Sequence, residues 1–218
     1  MKFPIGIQQF EKLREEDWFY VDKTLHIYNL VQGGTCYFLS RPRRFGKSML
    51  LSTLEAYFQG KKHLFKGLAI EQMETEWAEH AVLHLDLNAE KYTVPEDLTN
   101  ILDTYLREWE EKYESTEREN PSLSQRFRSV IRAAKQKTGR NVVVLVDEYD
   151  KPMLQAIGNE ELLTEYRNTL KAFYGTLKSC DRYIKFALLT GVTKFSKISV
   201  FSDLNNLKDI SMSTHYND

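Results

Sequence analysis

A three-layer α/β fold, a mainly parallel sheet with helices on both faces, is predicted by three features of the chain. Apolar, β-rich runs alternate with helical patterns along most of its length. The run Val142–Val146 is short, unbroken and β-branched, a composition that wants burial on both faces, as in a central parallel strand. The 218 residues, 42% hydrophobic and 28% charged, suffice for one full domain of this class with a sizeable core.

The elements follow in order. Residues 1–33 form a lead-in whose helix runs through Leu25, Ile27, Leu30 and Val31 and packs beside the sheet, and residues 34–212 form the core. Thr35–Ser40 is the first strand. A helix runs from Lys47 to about Phe58, with Met49, Leu50, Leu51, Leu54 and Phe58 at helical spacing, and Gly60 ends it. Ala81–Leu87 is the second strand. The next helix starts near Pro95, a good first-turn residue, and carries Leu98, Ile101, Leu102, Tyr105, Leu106 and Trp109. Its acidic far end, including Glu108, Glu110 and Glu111, reads as a solvated face. A helix over Leu123–Lys137 stops at Gly139, and Val142–Val146 follows as a strand. A helix over Glu160–Lys178 leads to the strand Ile184–Thr190, and Leu207–Met212 supplies a short fifth strand.

Composition narrows the function. A formal net charge of -1 leaves no footprint of non-specific nucleic-acid binding. Cys36 and Cys180 lie far apart without metal-ligand spacing and read as buried thiols in a reducing compartment. The histidines show no metal spacing either. Met1–Gly6 lacks a signal-peptide core, and no stretch approaches the roughly 18–20 apolar residues of a membrane span. A cytoplasmic protein without membrane contact is the expectation.

The informative segment is Arg41-Pro42-Arg43-Arg44-Phe45-Gly46-Lys47-Ser48-Met49, between the first strand and the helix opening at Lys47. A strand–turn–helix unit aims backbone N–H groups and the positive end of a helix at an anion in the turn. Gly46 lets the main chain approach a phosphate, Lys47 supplies a charge for the β- and γ-phosphates, and the Ser48 hydroxyl suits magnesium. The standard phosphate-loop pattern has a glycine where this chain has Arg41, so the Gly-Lys-Ser triplet also fits a basic surface turn. The downstream acids decide between these readings. Asp147 and Glu148 end the Val142–Val146 strand, and parallel sheets bind ligands at that end. Asp147 is then a magnesium partner of Ser48, and Glu148 orients and deprotonates the attacking water. Asp150 suits a helix-capping or turn role, and Asp86 a structural hydrogen bond. Thr190 ends its strand where it serves either as a γ-phosphate sensor or as a plain strand-end hydrogen-bonding group. Lys194 follows as a further charge.

The motifs Phe3–Ile7, Tyr20–Thr24, Arg41–Ser48, Val146–Pro152 and Phe201–Leu207 together resemble the bacterial AAA-ATPase-like family. That family belongs to the P-loop NTPases, in the branch with an extra central strand and a catalytic glutamate. The resemblance spans essentially the whole chain, and it makes Arg41 in the loop a family trait. It implies the three-layer P-loop NTPase fold with strand order 5-1-4-3-2 and ATP with Mg2+ as ligands. It also puts Tyr20 and Asp22 near the adenine. Relatives usually continue into further domains, so the chain reads as a fragment or a short member of the family. Three functions follow as alternatives: an ATPase, an ATP-gated switch or interaction module with little turnover and an unidentified protein partner, or the motor or regulatory domain of a nucleic-acid-processing protein.

Overall fold

The computed structural model describes residues 2–116, 121–194, 200–201 and 207–212. In chain order the elements are α1 (Phe10–Glu15), α2 (Thr24–Gly33), β1 (Cys36–Ser40), α3 (Lys47–Phe58), β2 (Val82–Asp86), α4 (Pro95–Tyr113), α5 (Leu123–Thr138), β3 (Val142–Asp147), α6 (Lys151–Gln155), α7 (Glu160–Ser179), β4 (Ile184–Gly191) and β5 (Lys208–Asp209). Short 3-10 turns at Lys62–Phe65, Ala69–Gln72 and Asp181–Tyr183 connect them.

The sheet has the order β2-β3-β4-β1-β5, and its neighbouring strands pair in parallel. Read from the other edge, this is the order 5-1-4-3-2 that the family resemblance implies. The strand bearing Lys47's loop is therefore separated from the Asp147 strand by β4 alone. The register brings the carboxyl ends of all three central strands level: Leu39 opposes Thr190, and Val146 opposes Leu189.

Side-chain alternation divides the core between the two faces of the sheet. On one face Val142, Val144 and Val146 pack with Leu98, Leu102 and Leu106 of α4 and with Phe127, Val130 and Ile131 of α5. Phe173 of α7 stacks on Phe127 with ring centroids 4.4 Å apart. On the other face Val143, Leu145, Phe186 and Leu188 pack with Leu51, Leu54 and Phe58 of α3 and with Ile27 and Leu30 of α2. Both faces of β3 are buried along its whole length, as the unbroken valine run requires. Cys36 and Cys180 are free, buried thiols.

Local chemistry sets the helix ends. Ser122 and Gln125 form a reciprocal capping box at α5, and Gly139 takes φ 70° just past its end. The Asn159 side chain caps α7 by accepting from Leu162 N at 3.1 Å. The lead-in is anchored as well. Phe10 is fully buried against Phe65 and Tyr20, and its backbone N–H donates to Ser52 Oγ at 2.8 Å. The motif Phe201–Leu207 lies largely outside the described residues, as does His215.

Candidate functional site

The loop between β1 and α3 turns sharply. Arg44 and Gly46 both hold positive φ, 68° and 77°, on either side of Phe45. Gly46 forms the N-terminal boundary of α3, and its carbonyl accepts the helix's first backbone bond from Leu50 N at 2.9 Å. No heavy atom lies within 4 Å of where a Gly46 Cβ would sit. The glycine is thus needed for its left-handed backbone, not for room inside the protein.

Lys47, the first residue of α3, points back into the turn that precedes it. Its Nζ donates to Arg41 O at 3.1 Å and Pro42 O at 3.4 Å, and pairs with Glu148 Oε1 at 3.1 Å. The side chain is 4% exposed, that of Glu148 14%. One residue on, Ser48 Oγ donates to Asp147 Oδ2 at 2.6 Å. From β4, Thr190 Oγ1 donates to the other oxygen, Asp147 Oδ1, at 2.7 Å. Drawn from three strand ends, these residues form two neighbouring bonded groups, Lys47 with Glu148 and Ser48 with Asp147 and Thr190.

Electrostatics match this geometry. Burial raises the Glu148 carboxyl above its ordinary value, and Asp147 and Asp150 raise it further, while Lys47 works in the opposite direction. Glu148 itself sits at φ 54°, an uncommon conformation for a residue with a Cβ. A hydroxyl and a carboxylate offer hard oxygen ligands of the kind magnesium takes. Among the described residues no group of three or more His, Cys, Asp or Glu side chains is placed to hold a metal.

Beside the loop opens a cleft of about 400 Å³. Its apolar lining includes Ile27, Leu30, Leu39, Leu50 and Ile210, and Gly46 and Lys47 of the phosphate loop also line it. Tyr20 lines it too. Burial pushes its hydroxyl, bonded to Thr53, up to about 12, so it stays neutral. Phe45 and Met49 lie on the same lining, with Phe45 66% exposed. Asp22 does not line the cleft. Its carboxylate accepts from Thr24 N at 2.9 Å, Thr24 Oγ1 at 2.6 Å and Ala69 N at 2.7 Å, tying α2 to the segment after α3.

Arg41 occupies the position where the standard loop has glycine. Its backbone N–H donates to Gly191 O at 3.1 Å, and its guanidinium donates to the carbonyl of Ser211, just past β5. Pro42, Arg43 and Arg44 are exposed at the loop tip. Lys194 pairs with Asp209 at 3.2 Å.

The sequence reading missed Ser211 and the partners of Asp150. Ser211, buried and polar, accepts from Ser40 N at 2.8 Å, joining the start of the loop to the end of β5. Asp150 opens α6 yet makes no side-chain cap there; its carboxylate accepts from Val192 and Thr193 instead. Its place after a strand-end acid pair was the one available signal. Asp86 accepts from Asn88 N at 2.7 Å, a local structural bond.

Among the described residues no helix is long and apolar enough to cross a membrane. A family model described as Predicted AAA-ATPase matches residues 4–201. The chain is 44% identical over 219 residues to an uncharacterized protein in the vnfD 5' region of Azotobacter chroococcum mcd 1. That alignment covers 99% of this chain but 42% of the relative, so the chain spans less than half the relative's length. Among solved structures, it resembles Cdc6p from Pyrobaculum aerophilum at 9% identity and a TM-score of 0.43, over 91% of this chain and 44% of that one. With a family match across nearly its whole length, the chain belongs to the predicted AAA-ATPase family.

Proposed function

We propose that this domain binds ATP with magnesium and hydrolyses its γ-phosphate. The observation that carries this reading is the cluster at the strand ends: Lys47 against Glu148 at 3.1 Å, and Ser48 against Asp147 at 2.6 Å. Two acids and two loop residues nearly a hundred positions apart meet where parallel sheets bind ligands.

In this reading the α3 N-terminus, Gly46 and Lys47 hold the β- and γ-phosphates, and the exposed Arg43 or Arg44 adds positive charge from the loop tip. Ser48 and Asp147 would hold the magnesium ion, which when bound neutralises phosphate charge. Tyr20 and the apolar cleft take the adenine. Glu148 accepts a proton from water as the water oxygen bonds to the γ-phosphorus, and the bond to the β-phosphate oxygen breaks, leaving ADP and inorganic phosphate. Thr190 acts through Asp147, whose carboxylate it fixes by a 2.7 Å hydrogen bond.

A second reading, an ATP-gated switch with little turnover, draws on the same contact. Lys47 and Glu148 occupy each other, so binding must separate them before either meets phosphate or water. Magnesium-dependent ATP turnover, measured beside ATP binding for wild type and Glu148→Gln, separates the two. The ATPase reading requires turnover that the variant loses while still binding ATP. Negligible turnover in both proteins, with intact binding, favours the switch.

A further inference from the structure

Asp150 is 0% exposed, and a buried carboxylate needs donors. It finds them across the sheet end. Val192 N approaches both carboxylate oxygens at 3.2 Å, and Oδ2 accepts from Thr193 N at 2.7 Å and from Thr193 Oγ1 at 2.8 Å. The preceding residue adds to the join. Tyr149 N donates to Thr190 O at 2.9 Å, and Tyr149 Oη donates to Thr193 O at 3.0 Å. Gly191 lies beneath them. A Cβ there would come within 2.5 Å of the Tyr149 ring and 2.7 Å of Asp150 Oδ1.

These contacts bind two short segments that each carry a site residue. One is the turn after β3, which holds Glu148 at φ 54° and is closed by Lys151 N donating to Glu148 O at 3.0 Å. The other is the end of β4, which carries Thr190. A non-glycine residue at positive φ is strained and persists only where its surroundings over-determine it. The Asp150 and Tyr149 bonds supply that constraint. A helix cap would not need a carboxylate aimed away from its own helix.

We propose that Asp150 is a positioning residue for hydrolysis: it locks the Glu148 turn to the end of β4, so that Glu148 and Thr190 keep one fixed relation around Asp147. This rests on the ATPase reading above. Glu148 has to meet a water in line with the γ-phosphate, and a displacement of about 1 Å there costs on the order of 10²-fold in rate. ATP affinity depends on the loop and the cleft, which Asp150 does not touch.

The test compares Asp150→Asn, Thr193→Val and Thr193→Ser with wild type. Asparagine keeps the shape but turns an NH2 toward N–H donors, and valine removes only the hydroxyl bond. The expected result is ATP binding within about twofold of wild type for all three, since the phosphate loop is intact. Turnover falls by about 10²-fold in Asp150→Asn, less in Thr193→Val, and stays near wild type in Thr193→Ser. Wild-type turnover in Asp150→Asn overturns the proposal. So does a parallel loss of ATP binding, turnover and melting temperature, which marks a scaffold residue only. Amide exchange without nucleotide keeps the outcomes separate from the ATPase reading. Should wild type fail to hydrolyse ATP, that reading falls, and the lock is judged on Tyr149, Val192 and Thr193. Faster exchange of these amides in Asp150→Asn supports the lock, and unchanged exchange overturns it.

Discussion

Lys47 Nζ lies 3.1 Å from Glu148 Oε1, joining the residue that would hold phosphate to the residue that would activate water. The pair is nearly buried, so it is weakly screened, and any anion entering the loop competes with the glutamate for the same ammonium group. Glu148→Gln removes the competitor's charge without emptying the site. ATP binding is therefore predicted to tighten by a fewfold, about 1 kcal/mol or less, because part of the pair's attraction is offset by desolvation. Isothermal titration without turnover conditions measures it; weaker binding in the variant contradicts the competition.

Glycines 46 and 191 are predicted to fail for different reasons. Gly46→Ala meets open space but must hold φ 77°, costing about 1–2 kcal/mol of backbone strain at the phosphate loop. Gly191→Ala drives a methyl into the Tyr149 ring, an overpacking cost of about 1–3 kcal/mol that also shifts the Glu148 turn. Chemical denaturation beside ATP binding distinguishes them. Gly46→Ala loses binding more than stability, whereas Gly191→Ala loses stability and keeps binding.

Glu55 on α3 and His84 on β2 form a half-buried pair, Oε2 to Nδ1 at 2.8 Å. Burial disfavours the charge on each, but their mutual attraction wins. The His84 value is raised above 6.5 and the Glu55 value lowered below 4.5. A raised histidine stabilises the fold fully below 6.5 and loses that contribution as pH rises through its folded value. A lowered glutamate stabilises fully above 4.5 and loses its share as pH falls through its folded value. A double-mutant cycle with Glu55→Gln and His84→Asn should show a larger coupling energy at about pH 5.5 than at about pH 8.5. Equal coupling at both contradicts the ion pair.

Arg126 offers a control remote from the loop. Its guanidinium bonds both oxygens of Glu110 and one of Asp103, fastening α5 to α4. Arg126→Met should cost about 1.5–3 kcal/mol of stability, the range for hydrogen bonds to charged groups, with no change in ATP affinity. A matching fall in affinity would mean that the helical face is coupled to the cleft.

Most of the sheet was legible because buried parallel strands carry an unbroken apolar signal. The Val142–Val146 run and the Lys47–Phe58 helix needed no tertiary information. The fifth strand was harder. β5 pairs over two residues, and its hold on β1 comes from bonds such as Ser40 N to Ser211 Oγ that span 171 positions. The strand order came through family motifs, since periodicity does not say which parallel strands are neighbours. That Lys47 and Ser48 meet Glu148 and Asp147 was readable from loop and strand-end chemistry. For Asp150 the sequence offers a cap or a turn role, and its bonds to Thr193 show only in the fold. The bond from Ala69 N to Asp22 likewise shows only in the fold.

The central claim is that the Lys47 loop and the Asp147–Glu148 strand end form one nucleotide site. Equilibrium binding of ATP with magnesium by wild type and by Lys47→Ala tests it most directly, with circular dichroism confirming that both are folded. The account predicts saturable binding by wild type and at least a tenfold loss in the variant, about 1.4 kcal/mol or more. Equal binding by the two proteins, or none by wild type, would contradict it.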